Sequence, residues 1–355
     1  MKSVTSIATI GLISLLSSTH SLNASSISSS SPSVKVAYIG DTGHGENFQK
    51  VLKLIKDEGA DIVIHAGDLA YDESNSNAPK LWESQINSIL GPAFPYLFAI
   101  GNHDVRAWKE KDGYASIYER RLNSNTELKC VGDHGTKSYC SFRGIHFVIS
   151  GIGSDGGNID HHVEFIGHAL RQTSDAPWRV CVWHKNQTDM QTGKKTNDVG
   201  WHAYRLCQKK GAMIATGHEH SYARTMNLNR LGHSSENHGA YGNPSALELT
   251  YGSNFVFVNG IGGASLRPVK CGRALKEWWA SVFSNNYYLK NKTVQYSECK
   301  KEDERETVNP GGPSHYNYGA LFITYGQEGN PRLAKAEFKT VEGLVIDEFT
   351  ITSKL

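Results

Sequence analysis

Five short apolar runs punctuate the chain, at 34–39, 61–66, 96–100, 179–182 and 212–216, a set rich in Val, Ile and aromatic residues. Runs of this length and composition predict buried strands. Between the first two, Phe48, Val51, Leu52 and Ile55 recur at helical spacing with Gly59 beyond them, which predicts a helix over 46–58 that stops at the glycine. A second helix is expected from Pro79, a favourable first-turn residue, through Trp82, Ile86 and Leu90 to Gly91. A third is expected over 159–172, with Phe165, Ile166, Ala169 and Leu170 turned inward. The chain closes on strand-like segments at 320–325, 333–339 and 345–351. Strands interleaved with helices predict a layered α/β fold, in which sites gather beyond the carboxyl ends of the strands.

Each of the five runs leads into polar residues at such an end. The clusters are Gly40-Asp41-Thr42-Gly43, Gly67-Asp68-Leu69-Ala70-Tyr71, Gly101-Asn102-His103-Asp104, Trp183-His184 and Gly217-His218-Glu219-His220. They offer carboxylates, a phenol, an amide and imidazoles, oxygen and nitrogen donors suited to hard or borderline cations. In this order they resemble the signature blocks of the calcineurin-like metallophosphoesterases, and within them the purple acid phosphatases, over roughly residues 34–222. The resemblance implies a four-layer α/β/β/α sandwich with two mixed sheets. It also implies hydrolysis of phosphomonoesters by attack of a dimetal-bound hydroxide.

Carried over motif by motif, the resemblance makes Asp68 the bridge between two cations. Asp41, Tyr71 and His220 would complete the first, and Asn102, His184 and His218 the second. His103 resembles the family's non-ligand histidine, which contacts the phosphate and protonates the leaving alkoxide. Asp104 either orients that imidazole or hydrogen-bonds its own loop, and the second is favoured. Much of the wider superfamily has a histidine two residues after the first aspartate, where this chain has Gly43. With Tyr71, that change resembles the ferric, tyrosinate-ligated site of the purple acid phosphatases, because a phenol ionises near neutrality only beside a strong Lewis acid. The second cation would be Fe(II), Zn or Mn. His44 turned inward in place of Tyr71 is the alternative.

The substrate half of the site departs from the family, with Lys185, Asn186 and Gln187 directly after His184 and a further histidine only at His202. Glu219, between two expected ligands in an extended segment, should face away from them. Asp41-Thr42-Gly43 also matches the aspartic-protease triplet, but no second Asp-Thr-Gly or Asp-Ser-Gly supplies the partner carboxylate that chemistry needs. Gly260-Ile261-Gly262-Gly263 lacks nucleotide-loop spacing and reads as a tight turn at the rim of the site.

Composition adds compartment and partners. A formal charge of +2 on 355 residues, with no basic stripe, argues against nucleic acid as an obligate partner. Lys2 followed by an apolar stretch predicts a cleaved leader over 1–24, then a serine-rich lead-in over 25–33 and a catalytic domain over 34–355. No run is long enough to span a membrane. Six cysteines suit a secreted, or vacuolar or lysosomal, protein with disulfides. Proximity pairs Cys130 with Cys140 and Cys271 with Cys299, while Cys181 and Cys207 either pair or stay as buried thiols. Sequons stand at Asn23, Asn186 and Asn291, the second too near the site to be glycosylated. Residues 267–313 read as an insertion or lid. A metallophosphodiesterase acting on nucleotides or lipid headgroups and a non-catalytic metal- or phosphate-binding protein are the alternative functions.

Overall fold

The first apolar run forms strand Val34–Ile39 in the computed structural model, which describes residues 1–2, 33–173, 175–299 and 317–355. The expected leader and serine-rich lead-in thus fall almost wholly outside the described residues, as does Asn23. Val34–Ile39 pairs in parallel with Ile62–His65, which pairs in parallel with Tyr96–Phe98. On its other side Gly319–Tyr325, Leu333–Thr340 and Val345–Ser353 run antiparallel in succession, and Ala246–Leu249 closes the edge. Among the described residues these make a mixed sheet of seven strands.

A second mixed sheet has ten strands. Its parallel centre is Ile145–Ser150, Trp178–Val182, Met213–Thr216 and Val256–Asn259. Antiparallel strands Lys137–Phe142 and Lys129–Asp133 extend one side. Tyr222–Thr225, Trp279–Phe283, Tyr287–Lys290 and Thr293–Ser297 extend the other.

Aromatic side chains fill the space between the sheets. Tyr38 meets Phe257 edge-on at 5.2 Å, Trp178 meets Tyr325 at 4.9 Å and Tyr222 stacks on Phe338 at 4.2 Å. A polar pin crosses the same space: Arg224 donates to both oxygens of Asp347 at 2.6 and 3.0 Å, with both side chains fully buried. The hydroxyls of Tyr222 and Ser281 donate to the same carboxylate, so its lone pairs are satisfied.

Helices Glu46–Asp57 and Ala78–Ile89 cover the outer face of the seven-stranded sheet, burying Phe48, Val51, Leu52, Ile55, Trp82 and Ile86. Each such side chain is worth roughly 1.5–3 kcal/mol when withdrawn from water. The first helix ends as its pattern predicts, with Gly59 in the left-handed region (φ 65°) donating to Lys56 O. Helices Ile159–Gln172 and His202–Lys209 pack Ile166, Ala169, Leu170, Ala203 and Tyr204 on the outer face of the other sheet. The result is the expected four-layer α/β/β/α sandwich.

Three disulfides join Cys130 to Cys140, Cys181 to Cys207 and Cys271 to Cys299, which settles the middle pair as bonded. Asn186 is fully buried and donates to Thr216 Oγ1, leaving no space for a glycan. Part of the 267–313 segment is strand, since Trp279–Phe283 and its two successors belong to the larger sheet; residues 300–313 lie outside the described ones. Near the start of the third helix His162 turns inward. It is buried, with Nδ1 3.0 Å from Ser150 Oγ and Nε2 3.0 Å from Asp155 Oδ1, and is a satisfied core residue.

Candidate metal centre

Asp41, Asp68, Tyr71 and His218 leave their strands in the left-handed backbone region, with φ of 56°, 57°, 58° and 68°. Non-glycine residues there cost roughly 1–3 kcal/mol each and persist only where surrounding contacts enforce them. Here the loops brace one another. Asp41 N donates to Gly67 O, Thr42 N to Asp68 O, Gly217 N to His184 O and His218 N to Asp41 Oδ2. Gly262 of the predicted rim turn donates to Gly40 O. Gly101 is required by contact rather than by φ: a Cβ there would lie 2.1 Å from both N and Oδ1 of Asp68.

The braced loops bring the expected donors together in two adjoining groups. In one, the Tyr71 hydroxyl donates to Asp41 Oδ1 at 2.6 Å, and His220 Nε2 lies 2.9 Å from that hydroxyl and 3.1 Å from the same carboxylate oxygen. In the other, His184 Nε2 lies 3.0 Å from Asp68 Oδ2 and 3.1 Å from His218 Nδ1, so that Asp68, His184 and His218 converge within 4.8 Å. The Asp41 carboxylate connects the groups by accepting the His218 amide at 2.8 Å. His44, the alternative to Tyr71, pairs instead with Asp72 at 3.4 Å.

Electrostatics favour a cation in this space. Burial works against the charge on Asp68, yet His184 and the His103 amide hold its carboxyl well below the usual range. Burial likewise opposes charge on His184, but Asp68 and Asp41 outweigh it and push the imidazole up to about 9. Burial, with His184 and Lys195 adding to it, pushes His218 down to about 2. The Tyr71 phenol is raised far above its ordinary value by burial and by Asp41 and Asp68, so only a strong Lewis acid could ionise it.

The donors are also oriented for a metal. His184 Nδ1 donates to Ala66 O at 2.8 Å, which leaves Nε2 free to coordinate a cation. Ser265 Oγ lies 2.5 Å from His220 Nδ1 and does the same for that ring. Asn102 Oδ1 is buried without a hydrogen-bond partner, an arrangement that a cation would satisfy. Behind them His65, pushed down to about 3 by burial, accepts the Gly67 amide through Nδ1 and so directs its Nε2 proton to Thr42.

His103 is half-exposed beside the groups, its ring 4.6 Å from that of Tyr71 and its Nε2 3.9 Å from Asp68 Oδ2. Its Nδ1 is held by the Glu73 carboxylate, a partner that the sequence pattern did not single out. Asp104 follows the favoured expectation: it is buried and accepts the amides of Asp68, Leu69 and Gly101 at 3.0, 2.8 and 2.7 Å. Burial and the neighbouring Asp68 push its carboxyl up to about 7. Glu219 lays its carboxylate on the Gly193 backbone. Lys185 pairs with Asp198, and His202 is exposed at the start of its helix, beside a separate cavity. The cations whose fields reach the site are instead Lys195 and Arg267, both missed in the sequence.

A family model described as calcineurin-like phosphoesterase matches residues 34–222. No curated protein sequence matches the chain. Among solved structures, the purple acid phosphatase PPD1 from yellow lupin (Lupinus luteus) seeds is similar at a TM-score of 0.59 and 19% identity, over 91% of this chain and 54% of that one. GAP50, described as the anchor in the inner membrane complex of Plasmodium, is similar at 0.51 and 12% identity, over 91% of this chain and 90% of that one. The chain spans about half the length of the lupin enzyme, and at these identities the likeness is one of fold.

Proposed function

Since the chain belongs to the calcineurin-like phosphoesterase family, we propose that it is a secreted acid phosphatase of the purple acid type, hydrolysing phosphomonoesters at a two-metal centre. The observation that carries this reading is the pair of adjoining donor groups, one of them containing the Tyr71 phenol. Asp41, Tyr71 and His220 would hold one cation, for which the phenol favours Fe(III). Asn102, His184 and His218 would hold the other, taken as Fe(II), Zn or Mn, and Asp68 would serve both. When bound, such cations supply Lewis acidity toward phosphoryl oxygens and activate water at neutral or acidic pH.

The chain's own residues supply orientation and proton transfer. Asp104 fixes the Asp68 and Gly101 amides, and thereby the direction of the shared carboxylate. Glu73 holds Nδ1 of His103, leaving Nε2 to face the reacting group. In the reaction an oxygen–phosphorus bond forms from water, which gives up a proton to solvent, as the bond to the leaving oxygen breaks and His103 delivers a proton to that oxygen. Secretion is supported by the three disulfides. No helix among the described residues is long and apolar enough to cross a membrane. Turnover of para-nitrophenyl phosphate against bis-para-nitrophenyl phosphate tests the monoester assignment: preference for the diester would replace it with a phosphodiesterase.

A further inference from the structure

Arg267 lines a cavity of about 470 Å³ whose walls also include Tyr71, His220, Ser265 and His44, so it stands beside the expected metal centre. Its backbone N–H donates to His220 O at 2.9 Å, which ties its position to that of an expected ligand. Lys195 approaches from another loop and is half-buried. Its charge acts on Asp41, Asp68, Glu219 and His218, and it is opposed by Arg267.

The backbone segments that carry Lys195 and Arg267 are tied together. Lys270 N donates to Thr192 O at 2.8 Å, and Arg273 Nη1 donates to Gly193 O and Lys195 O at 2.8 and 2.9 Å. Gln191 Nε2 also donates to Lys195 O, and the Cys271–Cys299 disulfide anchors the adjoining segment. Among the described residues neither the Lys195 ammonium nor the Arg267 guanidinium has a hydrogen-bond or ion-pair partner. Unpaired like charges on linked segments favour an anion that engages both.

We propose that Arg267 and Lys195 are specificity-determining residues that clamp a second oxyanion, carboxylate or phosphate, carried by the leaving group of the phosphomonoester. The inference rests on the monoesterase reading of the same site. A substrate phosphate held by the metal centre would leave its alcohol portion extending into the cavity beside Arg267, where a guanidinium can engage a carboxylate or phosphate in bidentate fashion.

Two matched pairs separate the sources of that oxyanion. Glycerol 2-phosphate and 2-phosphoglycerate differ by one carboxylate, and fructose 6-phosphate and fructose 1,6-bisphosphate by one phosphate. The metal-loaded protein is compared with Arg267→Gln, and with Lys195→Gln in case the first variant fails to fold. The expected result is that the preference for the doubly anionic member of at least one pair falls roughly tenfold or more in the variants, through KM. A preference that stays within about twofold of the parent protein in both pairs overturns the clamp. If the parent protein hydrolyses none of the four, nor para-nitrophenyl phosphate, the monoesterase reading fails and the clamp falls with it.

Discussion

The Tyr71 hydroxyl donates to Asp41 Oδ1 at 2.6 Å, joining residues from the ends of two neighbouring parallel strands. The same oxygen of Tyr71 lies 2.9 Å from His220 Nε2, so a phenol, a carboxylate and an imidazole share one point. Under the ferric assignment Tyr71→Phe removes the visible tyrosinate-to-iron band while the protein stays folded, since the ring is retained. An absorption spectrum of the metal-loaded variant checks this; an unchanged band would assign the iron to other donors.

Asn102 separates a metal role from a packing role. Because its buried Oδ1 has no partner, Asn102→Ala should change the stability of the metal-free protein by less than about 0.5 kcal/mol. The same substitution should weaken binding of the second cation, seen as lower metal content after dialysis. A variant destabilised without metal yet fully loaded would make Asn102 a structural residue.

Gly101 tests how finely Asp68 must be placed. A Cβ at this position meets Asp68 N and Oδ1 at 2.1 Å, so Gly101→Ala must displace the shared carboxylate. A shift near 1 Å in such a group lowers turnover on the order of a hundredfold. Steady-state kinetics on an aryl phosphate provide the check.

The Arg224–Asp347 pin predicts a pH dependence of stability rather than of activity. Burial opposes charge on Asp347, but Arg224, with the Ser281 and Tyr222 hydroxyls, outweighs it and holds the carboxyl below its ordinary value. A depressed carboxyl stabilises the fold above the unfolded pKa of about 3.9, and the contribution is lost as pH falls through the folded value. Asp347→Asn leaves a buried guanidinium without its counter-charge and should cost about 3–5 kcal/mol at pH 7. Urea denaturation at pH 7 and pH 3 should show that gap narrowing at the lower pH.

Much of this architecture is legible in the sequence because strand ends and ligand loops coincide. The run at 34–39 is a strand that delivers Asp41 two residues later, and 212–216 delivers His218 in the same way. Periodicity located the helices that cover the sheets, since Phe48, Val51, Leu52 and Ile55 mark a buried stripe. The strands between 129 and 150 gave a weaker signal. Their edge member, Lys129–Asp133, is mostly exposed and lacks an apolar face. Lys195 and Arg267 were invisible for another reason: each reaches the site through tertiary closure, from segments that carry no motif.

The most direct test of the two-metal phosphomonoesterase is para-nitrophenyl phosphate hydrolysis across pH by the metal-loaded protein beside Asp68→Ala, with bound metal counted in both by elemental analysis. Two cations per chain, turnover with an acidic optimum, and loss of turnover together with at least one cation in the variant are the predicted results. Turnover that survives in Asp68→Ala, or a variant that retains both cations, would contradict the shared role of Asp68 and the centre built around it.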